Sequence, residues 1–136
     1  MSRMTLKLKT KPLGESKMGL THVAVKSGRI GSKETYHAAF LVDTGSWHAM
    51  APASELRKVG IEPIGKDTYE LANGELQEFE YGNAELRFMD EIIATRILFG
   101  PDNSEPILGV LALQAAGFIV DPPNERVRKL EALPLK

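Results

Sequence analysis

Apolar and polar positions alternate in short runs along most of the chain, and glycine, proline and other turn residues separate the runs. A repeat of two positions is typical of half-buried β-strands, because successive side chains of a strand point to opposite faces. This pattern predicts strands over residues 5–9, 21–26, 35–42, 84–89, 92–99, 118–120 and 126–130, and a hairpin over residues 67–81. The chain is therefore expected to consist mainly of short strands.

Two segments have helical signals instead. Residues 52–60 begin with a proline, which suits the first turn of a helix, and end in a glycine. Residues 110–116 are apolar and are stopped by Gly117. Many short strands with one or two brief helices predict an all-β, closed or barrel-like domain. Because 136 residues are too few for two ordinary domains, we expect residues 1–136 to form a single domain.

Turn residues predict how some of the strands connect. We expect the first strands of the chain to lie beside the strand over residues 35–42. The segment Asp-Pro-Pro-Asn-Glu at residues 121–125 predicts a turn, across which residues 126–130 pair back. Asn73-Gly74 is a pair that tolerates the positive φ angles of a tight primed turn, which places the tip of the 67–81 hairpin there.

The strand over residues 35–42 differs from the others because an acid follows it directly. Its last residues, Phe40-Leu41-Val42, run into Asp43 and then into the turn residues Thr44-Gly45-Ser46. Burying an isolated carboxylate is costly, so such an Asp either accepts hydrogen bonds from nearby groups or takes part in chemistry. On its own, an Asp-Thr-Gly turn that closes a strand fits this pattern as well as a catalytic role does.

Three sequence features, which follow one another as they do in the family, resemble features of the single-lobe, retropepsin-like aspartic proteases. The first, the apolar run with Asp43-Thr44-Gly45-Ser46, is similar to the active-site signature of that family. The second is the hairpin at residues 69–76, where the family carries its flap. The third, Pro106-Ile107-Leu108-Gly109, is similar to the segment that packs beside the catalytic loop. The resemblance implies a retropepsin-like closed β-barrel and an aspartic endopeptidase that hydrolyses peptide bonds.

The resemblance also implies a homodimer. Pepsin-like enzymes carry two Asp-Thr-Gly loops in one chain, whereas here Asp67-Thr68 is followed by Tyr69 and only Asp43 has the full motif. Two close carboxylates share a proton because both cannot ionise. The charged one acts as general base on a water, and the neutral one polarises the scissile carbonyl. We therefore expect one Asp43 from each subunit to form the pair, with a polypeptide as substrate.

The residues after Asp43 have expected supporting roles. If the family pattern holds, the Thr44 hydroxyl bonds across the dimer axis, and Gly45 lets backbone approach the carboxylate and the substrate closely. We expect the Ser46 hydroxyl to donate to Asp43, which predicts an activity optimum on the acid side of neutral pH.

Further candidates for substrate binding lie on both sides of the predicted groove. Trp47 either lines an apolar subsite or packs in the core, and core packing is favoured slightly for a lone tryptophan. His48 is expected to be a hydrogen-bonded structural residue. Ala72, Asn73 and Gly74 form the tip of the candidate flap, which would close over an extended peptide. An ordinary hairpin turn is the alternative interpretation of this tip.

The composition of the chain limits the classes of partner and cofactor that are expected. The net charge is -1 and the basic residues are scattered, so no nucleic-acid surface is expected. The chain has no cysteine, and its three histidines lack the spacing of a helical zinc motif, so we expect no metal and no other cofactor. The sequence contains neither a signal peptide nor an apolar run of about 20 residues, which would be needed to span a bilayer. These features favour a cytoplasmic protein without membrane partners.

Two alternatives to a protease stay open. A retropepsin-like module can keep the dimer and the groove and bind peptides or assemble complexes without cleaving. The intact Asp43-Thr44-Gly45-Ser46 motif favours activity, because a scaffold alone would not require the acid. A small β-barrel in which the motif is incidental is the third possibility.

Overall fold

Strands dominate the residues that the structure describes, and the two helices among them are short. The computed structural model describes residues 5–7, 21–121 and 126–135. The strands are β1 (Thr5–Lys7), β2 (Thr21–Gly28), β3 (Thr35–Val42), β4 (Ala49–Pro52), β5 (Gly65–Glu70), β6 (Leu76–Phe88), β7 (Glu91–Gly100), β8 (Ile107–Leu108), β9 (Phe118–Asp121) and β10 (Arg126–Lys129). The helices are α1 (Ala53–Lys58) and α2 (Val110–Ala115). The predicted all-β class with one or two short helices is confirmed.

One seven-stranded sheet forms the body of the fold. Its strand order is β2-β3-β8-β4-β7-β6-β5, and an additional pairing of β2 with β6 closes the sheet into a ring. Lys26, Ser27 and Gly28 of β2 make this closing contact with β6. The strand β5 lies outside the ring as an edge strand paired to β6. The predicted closed arrangement is therefore present, with one hairpin extending from it.

The core combines buried residues of the ring strands with residues of both helices and of β9 and β10. In β2, Val23 and Val25 are buried while His22, Ala24 and Lys26 are exposed, as a two-residue period requires. In β3, Phe40 and Val42 are fully buried. The strand β4 was not predicted: it is sandwiched between β7, to which it is parallel, and β8, and is mostly buried. Strands buried on both faces lack the alternation that reveals a strand.

The terminal strands form a separate three-stranded sheet in the order β1-β10-β9. The predicted pairing of β10 back onto β9 is confirmed, with Val127 opposite Val120. The expectation that all the first strands lie beside β3 is wrong in part. The strand β2 pairs with β3, but β1 pairs with β10 near the other end of the chain. Residues 8–9 of the first predicted strand and residues 122–125 of the predicted turn lie outside the described residues.

The turns of the β5–β6 and β6–β7 hairpins differ from the predicted one. At the tip of the β5–β6 hairpin, the Gly74 amide donates to the Leu71 carbonyl at 2.8 Å, and Gly74 alone has a positive φ, +86°. A primed turn at Asn73-Gly74 is therefore wrong, because Asn73 does not have the required positive φ. A two-residue turn with positive φ at both positions occurs instead at Met89 and Asp90, between β6 and β7.

Both predicted helices are confirmed with shorter bounds. Pro52 precedes α1, Leu56 is its buried residue, and basic residues occupy its last turn. The chain after α2 turns at Gly117, whose φ is +87°. Neither helix in the described part of the chain has the length and apolar character needed to cross a bilayer.

Candidate active site

Asp43 lies at the point where a buried strand leaves the sheet. The neighbouring strand β8 pairs in parallel with the end of β3, with Val42 opposite Leu108. The amide of Asp43 itself donates to the Leu108 carbonyl at 3.1 Å. The expectation that the segment at residues 106–109 packs beside the Asp43 loop is confirmed. The sheet therefore holds the backbone of the acid while its side chain begins the loop.

The loop fixes the Asp43 carboxylate by a turn of its own. The Gly45 amide donates to Asp43 Oδ1 at 2.9 Å, and the Ser46 amide donates to the Asp43 carbonyl at 3.1 Å. A Cβ at Gly45 would lie 3.3 Å from Asp43 Oδ1, closer than most carbon atoms come. This is the expected close approach of backbone to the carboxylate. The geometry is that of an Asx turn, so the turn and the catalytic interpretations both fit it.

Residues 43–48 form the Asp43 loop, and the second half of this loop packs against Gly109. A Cβ at Gly109 would lie 2.7 to 2.8 Å from the carbonyl oxygens of Ser46, Trp47 and His48. Two of these carbonyls accept the first amides of α2, from Val110 at 2.8 Å and Leu111 at 3.0 Å. Helix N-terminal amides lack intrahelical partners, so this docking satisfies them and immobilises the loop.

The hydroxyl of Ser46 does not donate to Asp43, contrary to the prediction. It donates to the carbonyl of His48, at 3.0 Å. A hydroxyl has a single proton to donate, and the tight turn of the loop brings this carbonyl to it. In this structure Ser46 therefore supports the loop backbone and does not contact the carboxylate through a hydrogen bond.

Thr44 lines a second cavity of about 470 Å³ rather than the groove beside Asp43. The other residues of that cavity come from α2 and β9, among them Leu113 and Phe118. Within the described ranges, no residue hydrogen-bonds to the Thr44 hydroxyl. A bond from Thr44 to a second subunit stays a prediction.

A groove of about 860 Å³ separates the Asp43 loop from the β5–β6 hairpin. The loop contributes Asp43, Gly45, Ser46, Trp47 and His48, and the hairpin contributes residues 67–72 and Phe79. Met50, Leu98 and Ile107 complete the lining. The structure therefore brings the predicted site residues Gly45, Ser46 and Trp47 to the same groove as Asp43.

Trp47 is an exposed residue of this groove. Its side chain is 72% exposed, so packing in the core is wrong. The core positions nearby are instead occupied by the small residues Ala49 and Ala51, which are fully buried. An accessible aromatic surface at the edge of the groove remains available for contact with a ligand.

Only part of the predicted flap tip reaches the groove. Ala72 lines it, whereas Asn73 and Gly74 are exposed and do not. The Asn73 side chain is engaged locally, since its Oδ1 accepts from the Glu75 amide at 2.9 Å and its Nδ2 donates to the Glu75 carboxylate at 2.6 Å. These bonds order the tip of the hairpin. Contact of Asn73 and Gly74 with substrate stays a prediction.

The sequence interpretation missed the residue that faces His48. Tyr69 of β5 reaches across the groove, and its hydroxyl lies 3.1 Å from His48 Nδ1. Arg96 of β7 donates to the same hydroxyl at 3.3 Å and to Asp67 Oδ2 at 3.4 Å. Its guanidinium also stacks over Tyr81, with Cζ 3.6 Å from the ring centroid. Alternation in β5 predicts that Tyr69 and Asp67 share a face, but no local signal indicates the pairing with His48.

The surroundings of His48 favour its neutral form. Burial lowers the pKa of His48 from its usual value, and the positive charge of Arg96 lowers it further, while Asp67 acts in the opposite direction. The expectation that His48 is a hydrogen-bonded residue is confirmed. Among the residues that the structure describes, no three His, Cys, Asp or Glu side chains come together in a way that could hold a metal ion.

Comparison with known proteins gives similarity to solved structures but none to known sequences. The chain matches no protein-family model and no curated protein sequence. Among solved structures, it is similar to a retropepsin-like aspartic protease from Rickettsia conorii, with 17% sequence identity and a TM-score of 0.45. The match covers 94% of this chain and 98% of the other.

Proposed function

We propose that this protein is an aspartic endopeptidase that acts as a homodimer, with one Asp43 from each subunit in the catalytic pair. The observation that carries the proposal is the position of Asp43. It stands at the end of a buried strand, on a loop anchored at Gly109, and it lines a groove opposite a hairpin. A carboxylate held in this way beside open space is suited to act on a bound substrate.

The chemistry requires two carboxylates in different protonation states. One Asp43 takes a proton from a water, which attacks the scissile carbonyl, while the neutral partner donates a hydrogen bond to the carbonyl oxygen. The Gly45 amide orients the carboxylate through Oδ1. Asp67, which also lines the groove, does not replace the second Asp43, because it is bonded to Arg96 and to the Thr68 amide and lacks the Asp-Thr-Gly loop.

An extended polypeptide suits the shape of the site. The groove runs beside β5, and β5 is the edge strand of the seven-stranded sheet. Backbone groups at a free strand edge can pair with an extended peptide, which supplies affinity without regard to sequence. Trp47, exposed beside Asp43, offers an apolar surface for a substrate side chain. The hairpin then acts as the flap over the bound segment.

Terminal strands are the proposed place of dimer contact. Residues 1–13 and 126–136 are the candidate segments, and their described strands β1 and β10 already pair in one three-stranded sheet. Thr44 and the adjacent cavity with α2 and β9 would lie near such a contact, which agrees with a bond from the Thr44 hydroxyl across the axis.

Cleavage of an unfolded protein tests the proposal. Purified protein is incubated with a denatured protein substrate across acid and neutral pH, with and without pepstatin, beside the nearly isosteric variant Asp43→Asn. Asp90→Asn is the matched control, because it removes the same charge from a turn that does not line the groove. We expect the wild type and Asp90→Asn to cleave, and Asp43→Asn to be inactive. Equal cleavage by Asp43→Asn would reject the role of this residue.

Sedimentation of the same samples separates the alternatives. A dimer that cleaves supports the proposal, and a monomer that cleaves at micromolar concentration rejects the shared pair. A dimer that binds the denatured substrate without cleaving it indicates the non-catalytic peptide-binding module instead. Asp43→Asn should remain dimeric, because the substitution keeps the size of the side chain.

A further inference from the structure

The β5–β6 hairpin is joined to the Asp43 loop by a contact between two side chains. The Tyr69 hydroxyl and His48 Nδ1 lie 3.1 Å apart, and the two rings meet edge to face with centroids 5.6 Å apart at 86°. Tyr69 also meets Phe79 edge to face at 6.0 Å, so its ring is held from both strands of the hairpin. The contact therefore fixes where the hairpin stands relative to the loop.

The donors around this contact favour one arrangement of its protons. Arg96 has only donors, so its Nη1 must donate to the Tyr69 oxygen, 3.3 Å away. The single proton of the Tyr69 hydroxyl is then free to be donated to His48 Nδ1. His48 Nδ1 accepts this proton only when it carries none itself, which corresponds to a neutral ring with its hydrogen on Nε2; with a proton on Nδ1, the ring would donate to the Tyr69 oxygen instead.

The charges around His48 support the neutral ring. Tyr69 and Asp67 face it from β5 and Arg96 faces it from β7, while Asp43 and Glu70 line the same groove. Burial and Arg96 both lower the pKa of His48, and Asp67 only partly opposes them. Protonation of His48 would place a second cation near Arg96 and remove the acceptor of the Tyr69 proton.

We propose that His48 and Tyr69 form a latch that holds the hairpin closed over the Asp43 loop, and that protonation of His48 opens it. Both are positioning residues, and Arg96 is the group that orients the Tyr69 hydroxyl. The inference rests on the proposed function in one respect, that the groove beside Asp43 receives the substrate. The latch would set a lower pH limit for holding a peptide in the groove.

The direction of the pH effect follows from linkage. A histidine whose pKa is lower in the folded protein than in the unfolded chain binds protons less readily when folded. At pH values above the usual histidine pKa of about 6.5, the neutral ring contributes fully to the stability of the folded protein. That contribution is lost as pH falls from this value through the lowered one. The latch is therefore closed at neutral pH and opens on the acid side.

Amide hydrogen exchange of the free protein tests the latch without any cleavage. Exchange is measured in β5 and in β6 residues 76–80 from pH 7.5 to 4.5, corrected for intrinsic rates, with the β2–β3 hairpin as an internal reference. Losing one net hydrogen bond should raise exchange about 2- to 10-fold. We expect this rise in Tyr69→Phe at pH 7.5 and in the wild type at pH 4.5, but not in the reference hairpin.

Two further variants control for packing and for titration. Tyr69→Phe keeps the ring and both of its edge-to-face contacts, so it removes only the hydroxyl. Tyr36→Phe makes the same change at a tyrosine that packs on Phe40 and should leave the β5–β6 hairpin unchanged. His48→Asn keeps an acceptor near the position of Nδ1 but does not titrate. It should therefore keep the hairpin protected at both pH values.

Nuclear magnetic resonance of the imidazole rings gives a second readout. We expect His48 to carry its proton on Nε2, and the pKa of His48 to rise in Tyr69→Phe. A proton on Nδ1, or equal hairpin exchange in wild type and Tyr69→Phe at pH 7.5, would overturn the latch. Because neither readout requires cleavage, the latch can fail while the protease proposal stands, and the reverse.

Discussion

The amide of Asp43 donates a 3.1 Å hydrogen bond to the carbonyl oxygen of Leu108. This bond extends the parallel pairing of β3 and β8 one residue beyond Val42, so the acid leaves the sheet with its backbone still held. The next residue after Leu108 is Gly109, on which the carbonyls of the Asp43 loop pack. The position of the carboxylate therefore depends on a segment more than sixty positions away in sequence as much as on its own strand.

A side chain at residue 109 should displace the Asp43 loop. In Gly109→Ala the new Cβ would lie 2.7 Å from two backbone carbonyl oxygens, which cannot move aside as a flexible side chain can. We expect a loss of about 1–3 kcal/mol in the free energy of unfolding, as for overpacked cores, and lower cleavage activity. Urea unfolding measures the first effect. Gln114→Ala, at an exposed position of the same helix, is the control, and equal stability of the two variants would contradict the packing role.

The Ser46 hydroxyl should matter for stability and not for the pH dependence of activity. It donates to the His48 carbonyl, so Ser46→Ala removes one partly buried hydrogen bond, worth about 0.5–1.5 kcal/mol. Ser46→Thr keeps a hydroxyl and serves as control. We expect the acid limb of the cleavage profile to be the same in wild type and Ser46→Ala. If the acid limb of Ser46→Ala moved to higher pH, the hydroxyl would have to reach Asp43 in the active dimer.

Trp47 should contribute to substrate binding and little to folding. Its side chain is 72% exposed at the groove, so Trp47→Ala should change the free energy of unfolding by less than about 0.5 kcal/mol. Covering this aromatic surface with an apolar substrate side chain should be worth about 10-fold in kcat/KM, mainly through KM. Leu76→Ala is the matched control, because Leu76 is 71% exposed and lies outside the groove lining. Equal kinetics in the two variants would exclude Trp47 from binding.

Asp102 should stabilise α1 in a pH-dependent way. Its carboxylate accepts a 2.9 Å bond from the Ser54 amide in the first turn of that helix, and bonding to Ser54 lowers the pKa of Asp102 from 3.8. A lowered carboxyl pKa gives stability that is present above the usual value and is lost as pH falls through the lowered one. Asp102→Ala should therefore lower the urea midpoint at pH 7 and lower it less at pH 3. A penalty that is equal at both pH values would contradict this assignment, and Asp90→Asn controls for the loss of charge.

Local patterns were sufficient for β3, the Asp43 loop and α1, but not for β4. The apolar run that ends at Asp43 predicted both the buried strand β3 and the loop at its end, and proline and glycine marked the bounds of α1. The alternation of apolar residues in a strand and the residue preferences of a turn each depend on only a few neighbouring positions. They can therefore be recognised from the sequence. They also predicted the hairpin at residues 67–81, although they placed its positive φ angles wrongly at Asn73.

The amino-acid sequence by itself determined that this is an all-β chain with a single Asp-Thr-Gly loop after a buried strand. Only the tertiary structure decided that Trp47 is exposed, that the Ser46 hydroxyl bonds to the His48 carbonyl, and that Tyr69 faces His48. Periodicity tells which face of a strand is buried, but not which distant residue lies opposite it. The position of the β5–β6 hairpin beside the Asp43 loop brings Tyr69 to His48, and the fold of the loop itself brings the Ser46 hydroxyl to the His48 carbonyl.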